Sequence, residues 1–499
     1  MLARARLILA SAWLMVFFLA LILRLELLAT RSLWIDEAIS LDIAARGPAE
    51  IVRLSRTAEP HPPGYYLLLW GWQLAFGHTP ATGRTLSLLF GLGTVLLTGI
   101  LGGQFFGPAT GLFAAALVAL HPFQIFASNE IRMYPLLATL ELGATLVLAK
   151  ALERGERLTL WLTYGILAAA VAYTSYYGLL VLAGHAVAIW AVLRGYAAWR
   201  GPVVGFAVAL ACYAPWLPSF VPSITSNPLP WRSPFTWTYP LEILIVQTFG
   251  GHLFGTPSYQ ASAPFSLLWI PLVAPFLVLL TLGSWAAVET NAGRLLLASW
   301  LVPVTLVTVV SAILNKVVAY HYHLSHIEPY AACLLALGGA SLASRVKAEV
   351  RRLAALALIV FVLAYIGPAI AVLQSGQREV YRFDLAARWL KERRRAGDVI
   401  VYLTVTGQLV LRWYVAWTGP EVAIAPSPWR WTLEESRGLL RHSVAPLDVR
   451  HRRVWLVLTP PFPAGSAEEL MRLLVEKGYR PRGQGVAFGR VFVQLFERR

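Results

Sequence analysis

The 499-residue sequence is poor in acid, with 26 Asp+Glu against 42 Lys+Arg and only 14% charged residues in all. It has two cysteines, Cys212 and Cys333, both inside apolar runs. That pattern supports neither a disulfide framework nor a thiolate metal site, and reads as buried packing. No glycine-rich phosphate loop with Walker or Rossmann spacing occurs, which argues against a nucleotide-binding fold. No nucleic-acid-binding motif accompanies the net charge of +16. Residues 375–499 hold 21 Lys+Arg and 12 Asp+Glu, a surplus of 9, and the remaining clusters sit in loops between apolar runs. Such a distribution suits anionic headgroups or phosphate-bearing substrates and not nucleic acid.

What is abundant is apolar sequence. Hydrophobic residues make up 57% of the chain and the mean hydropathy is +0.61, too apolar for an ordinary soluble globule. Runs long enough to cross a hydrocarbon layer recur, which predicts a polytopic α-helical membrane protein. Expected spans cover 7–29, 84–103, 109–127, 133–150, 158–174, 177–193, 202–220, 264–286, 295–313, 326–344 and 353–373, about 11 in all. The first follows Arg4 and Arg6, is too long for a signal-peptide core, and reads as a retained anchor. The piece Gly64 to Gly77 is shorter and aromatic-rich. If it does not cross, Lys150/Arg154/Arg157, Arg194/Arg200, Arg294 and Arg345/Lys347/Arg351/Arg352 all face the cytoplasm, as the positive-inside rule asks. It is therefore read as interfacial or re-entrant. Loops 30–83, 128–132, 221–263 and 314–325, with everything after Gln374, then share the outer face.

Beyond Gln374 the pattern changes. Leu385 to Arg395 reads as an amphipathic helix, Val399 to Leu403 and Val454 to Leu458 as buried strands, Glu468 to Lys477 as a helix, and Gly489 to Phe496 as a last strand. The expectation is a transmembrane domain over 1–374 and an extracytoplasmic α/β accessory domain over 375–499.

Few residues on the predicted outer face can carry chemistry. Asp36 and Glu37 stand at a membrane edge in a chain that otherwise avoids acid, where ionisable side chains mark function by default. Loop one also holds Glu59-Pro-His61-Pro-Pro-Gly64, in which the prolines break the chain and His61 is either a cap or a site residue. Glu130 and Arg132 are a local ion pair at a helix start or part of a site, with Tyr134 beside them. Lys316 and the run Tyr320-His321-Tyr322-His323, followed by His326 and Glu328, precede a later span. Two histidines at that spacing fit metal or phosphate, though zinc usually takes three or four protein ligands. The aromatic stretch Pro230 to Tyr239 is either a sugar-stacking surface or an interfacial belt. Convergent acids, an Arg and histidines suit transfer from a phosphate-bearing donor, with cations holding the leaving group and a carboxylate taking a proton.

Trp34-Ile-Asp36-Glu37, His61-Pro-Pro-Gly-Tyr65, Leu74-Ala-Phe-Gly77, Arg84 and Glu130-Ile-Arg132-Met-Tyr134 together resemble the first outer loops of the GT-C glycosyltransferase superfamily. Within it the sequence most resembles the bacterial branch related to the dolichyl-phosphate-mannose–protein mannosyltransferases and the aminoarabinose lipid A transferases. The likeness is strong over 1–200 and extends to 300–345, where Tyr320 to Leu324 followed by Pro329 resembles the family's Arg-Tyr-Leu…Pro segment. It implies a GT-C-like fold, a polyprenyl-phosphate sugar donor, and inversion at the anomeric carbon. It implies Asp36 as catalytic base, with Glu37 orienting the acceptor or a metal, and Arg132 as a donor-phosphate contact. His321, His323 and Lys316 would share the phosphate role of an Arg the family usually has near 321, while His61, Glu130, Tyr134 and Tyr322 would bind or orient substrate. A family Asp four residues after Tyr134 is Ala138 here, leaving Glu130 as its substitute or the second acid as dispensable. A divalent metal stays open, with Glu37, Glu130 and His61 as candidate ligands. The expected acceptor is a glycolipid, polysaccharide or protein hydroxyl, and the expected location is the cytoplasmic membrane with the site outside. A transporter of lipid-linked sugars, the alternative, predicts mid-membrane charges and inverted repeats; an inert lipid-binding relative predicts loss of the paired acid.

Overall fold

The structure, a computed structural model, describes residues 2–25, 28, 31–154, 157–193, 199–225, 233–249, 270–347, 349, 381–415, 420–423, 438, 440–441, 444–445, 447, 451–460 and 465–498. Of residues 2–6, 224–225, 248–249, 270–273, 321 and 423 only the backbone is described. The chain divides into two compact units: Met1–Ala29, Arg46–Asn227 and Arg232–Leu373 form one, and Thr30–Ala45, Pro228–Trp231 and Gln374–Arg499 the other.

The first unit is helical. It contains α1 (Leu2–Leu25), and then, beyond α2 (Ile35–Ala45) of the second unit, α3 (Pro48–Thr57), α4 (Gly64–Phe76), α5 (Pro80–Phe106), α6 (Pro108–Leu120), α7 (Pro122–Ser128) and α8 (Tyr134–Arg154). There follow α9 (Leu158–Thr174), α10 (Gly178–Val192), α11 (Arg200–Tyr213), α12 (Leu217–Thr225), α13 (Tyr239–Phe249), α14 (Ile270–Ala287), α15 (Asn291–Leu314) and α16 (Glu328–Arg345). Six described stretches are long and apolar enough to cross a membrane: Leu7–Leu25, Pro80–Phe106, Tyr134–Arg154, Arg200–Ser223, Asn291–Leu314 and Tyr322–Arg345. Shorter apolar helices occupy the expected spans near 158–174, 177–193 and 264–286. The expected last span, 353–373, lies outside the described residues, as do 264–269 and 230–232.

Local chemistry explains several boundaries. Thr79 caps α5 by accepting from the Thr82 N–H at 3.1 Å, and Pro80 fills the first helical turn. The α4 helix has 13 residues, about 20 Å of rise, too short to cross a hydrocarbon core. The expected single span 109–127 is two helices, bent by 65° where Pro122 follows His121. Proline lacks the N–H that a continuing helix would offer four residues back. Between α14 and α16, Gly283 and Gly338 face each other, and a Cβ at either would collide with a carbonyl of the other helix. Small residues at such crossings let membrane helices pack closely.

The second unit is α/β. Besides α2 it holds α17 (Phe383–Arg393), β1 (Val399–Tyr402), α18 (Val405–Arg412), β2 (Glu421–Ala423), β3 (Arg453–Leu458), α19 (Ser466–Glu476), β4 (Tyr479–Pro481), β5 (Val486–Phe488) and β6 (Val491–Arg498). The sheet runs β2-β1-β3-β6-β4, with β5 on β6. The β1 strand is parallel to both neighbours, while β3 and β6 are antiparallel. All four β1 residues are buried, which suits a central strand covered on both faces.

Candidate functional site

In the first unit the site grows from a turn and a break. The seven-residue α7 ends at Ser128, and residues 129–133 turn tightly before α8, with the Arg132 N–H donating to the Glu130 carbonyl at 2.8 Å. This turn is buried: Glu130 is 1% and Arg132 6% exposed. The Arg132 guanidinium lies 2.9 Å from His61 Nε2. Since arginine only donates and stays charged, His61 Nε2 accepts, and the His61 proton sits on Nδ1. Glu59 Oε1, 3.9 Å from the same nitrogen, is held instead by the Tyr66 hydroxyl at 2.8 Å.

The second element is the 3₁₀ turn His321–Ile327 between α15 and α16. The Tyr320 N–H donates to His323 Nδ1 at 2.9 Å. That bond makes His323 a neutral imidazole with its proton on Nε2, a donor. The His323 ring stands 4.1 Å from Tyr322 and 4.7 Å from Tyr177, centre to centre. Tyr134, two residues after Arg132, meets Tyr322 at 5.9 Å and His323 at 6.3 Å, both edge-on. Two stretches almost 190 residues apart in sequence are thereby brought together. Lys316 is exposed and follows Asn315, which has the left-handed conformation that ends α15. The side chain of His321 lies outside the described residues.

Behind this turn, His326 and Glu328 meet polar side chains the sequence reading passed over. Glu141 Oε2 lies 2.8 Å from His326 Nδ1, both side chains fully buried. Gln124 donates to the Ser325 carbonyl at 2.7 Å and to Glu328 Oε2 at 2.8 Å, and His121 Nδ1 stands 3.1 Å from Glu328. His185 joins Thr145 at 3.0 Å and Tyr164 at 3.2 Å. Arg24, wholly buried, donates to the Val118 carbonyl at 3.2 Å, the Ala119 carbonyl at 2.9 Å and Ser128 Oγ at 3.0 Å. Each was visible as an ionisable or polar residue inside an apolar run, the signal that normally flags function or framework in a membrane.

Asp36 and Glu37 belong to the second unit, in the first turn of α2, where the helix dipole favours carboxylates. Glu37 is fully buried, its Oε2 3.4 Å from the Arg31 guanidinium and 3.4 Å from the Trp34 N–H. Asp36 is half-buried, and its carbonyl accepts from Ser40 Oγ at 2.8 Å. Burial pushes the Tyr381 hydroxyl up, Arg490 pulls against that, and the charge of Asp36 adds to it.

Among the described residues, no group of three or more His, Cys, Asp or Glu is arranged to hold a metal ion. Two of the three candidate ligands are already engaged: His61 Nε2 by Arg132 and Glu37 Oε2 by Arg31.

A family model described as dolichyl-phosphate-mannose-protein mannosyltransferase matches residues 60–218, which include His61, Glu130, Arg132 and Tyr134. No curated protein matches. Among solved structures, ArnT from Cupriavidus metallidurans in the apo state aligns with a TM-score of 0.64 at 14% identity, covering 97% of this chain and 98% of that one. The same protein bound to undecaprenyl phosphate aligns at 0.60 and 13% identity over 98% and 97%. The Archaeoglobus fulgidus oligosaccharyltransferase AglB, in complex with an inhibitory peptide and a dolichol-phosphate, aligns at 0.55 and 12% identity over 90% of this chain and 69% of that one. The chain has a GT-C-like fold and is a multi-pass membrane protein.

Proposed function

We propose that the chain transfers a sugar from a polyprenyl-phosphate donor to an acceptor hydroxyl. The observation that carries this reading is the convergence of the Arg132–His61 pair with the Tyr134, Tyr322 and His323 rings in a GT-C membrane body. A donor whose lipid tail dissolves only in the bilayer needs a binding site in such a body. Its sugar–phosphate bond is already activated, so no nucleotide fold is required.

Chemically the transfer is one displacement. The acceptor oxygen forms a bond to the anomeric carbon as the bond from that carbon to the phosphate oxygen breaks. Asp36 takes the hydroxyl proton, and polyprenyl phosphate departs with its negative charge. Arg132 supplies a fixed positive charge for that phosphate. His323 offers a neutral Nε2–H, which binds an oxyanion without adding charge, and His321 and Lys316 supply further donors. His61 orients Arg132, Glu130 shapes the turn, and Tyr134 and Tyr322 form an aromatic wall for the donor. Glu37, paired with Arg31, braces α2. A single displacement inverts the anomeric centre. By its basic loops the enzyme lies in the cytoplasmic membrane, with the active site and residues 375–499 extracytoplasmic. The acceptor is a glycolipid, polysaccharide or protein hydroxyl, and the donated sugar a hexose or pentose.

The test is Asp36→Asn in purified protein, assayed with a panel of labelled undecaprenyl-phosphate sugars and a membrane extract as acceptor. Transfer is expected to fall by about 10²-fold or more, the scale of a lost general base. Transfer at the parent rate would remove Asp36 from the base role.

A further inference from the structure

The helix that carries Asp36 is held by residues far down the chain. The Leu33 N–H donates to the Tyr414 hydroxyl at 2.6 Å, just beyond α18. The same hydroxyl lies 3.3 Å from Ser32 Oγ. Ser32 Oγ accepts from the Asp384 N–H at 3.4 Å and reaches the Leu33 carbonyl at 3.3 Å. The Asp384 carboxylate is clamped by both guanidinium arms of Arg382, at 2.9 and 2.8 Å. Leu33, Ala38 and Leu41 are wholly buried, and α2 packs along α18. Each group in this small network has a role consistent with the rest: the backbone N–H donates to the tyrosine oxygen, leaving the tyrosine proton for serine. Asp36 follows Leu33 by three positions, so the height and direction of the first turn of α2 follow from that anchor.

We propose that Tyr414 is a positioning residue for sugar transfer, its hydroxyl fixing Leu33 and so the place of the Asp36 carboxylate. This rests on the reading of Asp36 as base. The C-terminal residues then contribute to turnover, in addition to whatever acceptor they meet. A misplacement of about 1 Å at a reacting group is worth about 10²-fold in rate, whereas the donor-binding side chains belong to the other unit and are untouched.

The experiment compares Tyr414→Phe, which keeps the ring and removes only the hydroxyl, with Ser32→Ala, Asp36→Asn and the double variant Asp36→Asn/Tyr414→Phe. Turnover is measured with the undecaprenyl-phosphate sugar that the panel identifies, and binding with undecaprenyl phosphate alone. Tyr414→Phe is expected to lower kcat by about 10- to 100-fold. Donor KM and undecaprenyl phosphate affinity should stay within about twofold, Ser32→Ala should act in the same direction, and the double variant should be no slower than Asp36→Asn. A merely structural role would lower binding and turnover together and would add to the loss in the Asp36→Asn background; either result overturns the proposal. Full kcat for Tyr414→Phe beside an inactive Asp36→Asn overturns the positioning role alone. Full activity of Asp36→Asn overturns the base assignment and this inference with it.

Discussion

Replacing Arg24 with methionine tests how the break before α7 is made tolerable inside the membrane. In a continuous helix the Val118 carbonyl would accept from the N–H of residue 122, but that residue is proline. Arg24 supplies the missing donor at 3.2 Å and also serves the Ala119 carbonyl at 2.9 Å. Arg24→Met strands both carbonyls, at about 1–3 kcal/mol for each unsatisfied group. Against that stands the relief of no longer burying a guanidinium, about 2.5–3.5 kcal/mol on insertion scales. The two terms nearly cancel, so the single variant is a poor gauge and the coupling to position 122 is the informative quantity. Pro122→Ala restores an N–H for Val118. With Arg24 present that N–H is redundant, and in the Arg24→Met background it satisfies one of the stranded carbonyls. A double-mutant cycle on unfolding in detergent micelles is therefore expected to show a favourable coupling of about 1–3 kcal/mol between the two substitutions. Because α7 leads directly into the Arg132 turn, donor binding should weaken in Arg24→Met and recover in the double variant. A coupling below about 0.5 kcal/mol, the usual additivity error, would refute the account of Arg24 as the donor that replaces the proline N–H.

Two further outcomes follow from the site and its frame. Arg132→Ala should cut transfer by about 10²–10³-fold, and Arg132→Lys should recover only part of it because lysine keeps the charge but loses the fork that meets both phosphate and His61; transfer rates of the two variants at saturating acceptor check this, and equal rates would contradict it. Asp384 is pushed up by partial burial, but its hydrogen bonds to Arg382 outweigh this and hold the carboxyl below its ordinary value. A depressed carboxyl stabilises the fold above its unfolded value, about 3.9, and that contribution is lost as pH falls through the folded one. For a partly exposed pair it is worth about 0.2–1 kcal/mol, so thermal midpoints of the parent and Asp384→Asn should differ near pH 6 and converge toward pH 3.

The membrane helices were legible because apolar runs of the right length have few other stable uses. The basic loops, together with the shortness of Gly64 to Gly77, kept that piece out of the expected spans, and α4 has 13 residues. The strands Val399–Tyr402 and Arg453–Leu458 were legible for a related reason, since central parallel strands are apolar throughout. In contrast, α2, α3 and α18 are short and mix polar with apolar residues, so no period stood out. The bend between α6 and α7 had its cause in plain view at Pro122, yet summed hydropathy over 109–127 reads straight across it. Arg132 and His323 were legible as chemical types, but the tautomers of His61 and His323 depend on one hydrogen bond each and have no sequence signature. The grouping of residues 30–45 with the C-terminal unit was not legible at all: the bond from Leu33 to Tyr414 spans 381 positions, and neither residue is unusual where it stands.

The buried polar residues also separate two roles that look alike in sequence. Glu141 and His326 have no exposed surface, and removing one partner of such a pair costs about 3–5 kcal/mol because the other is stranded. A framework role is sufficient to keep them: His326 lies in the same turn as Tyr322 and His323, and Gln124 holds that turn from α7 through the Ser325 carbonyl. The turn is held in part by its own bond from the Tyr320 N–H to His323 Nδ1 and in part by contacts from neighbouring helices. Arg132, in its own turn after α7, is set by the same helix. Both turns thus stand next to α7, and Arg24 holds the break before α7 through the Val118 and Ala119 carbonyls and the far end of α7 through Ser128. Charge that would be costly as ornament is retained here because a buried donor holds the helix beside both turns.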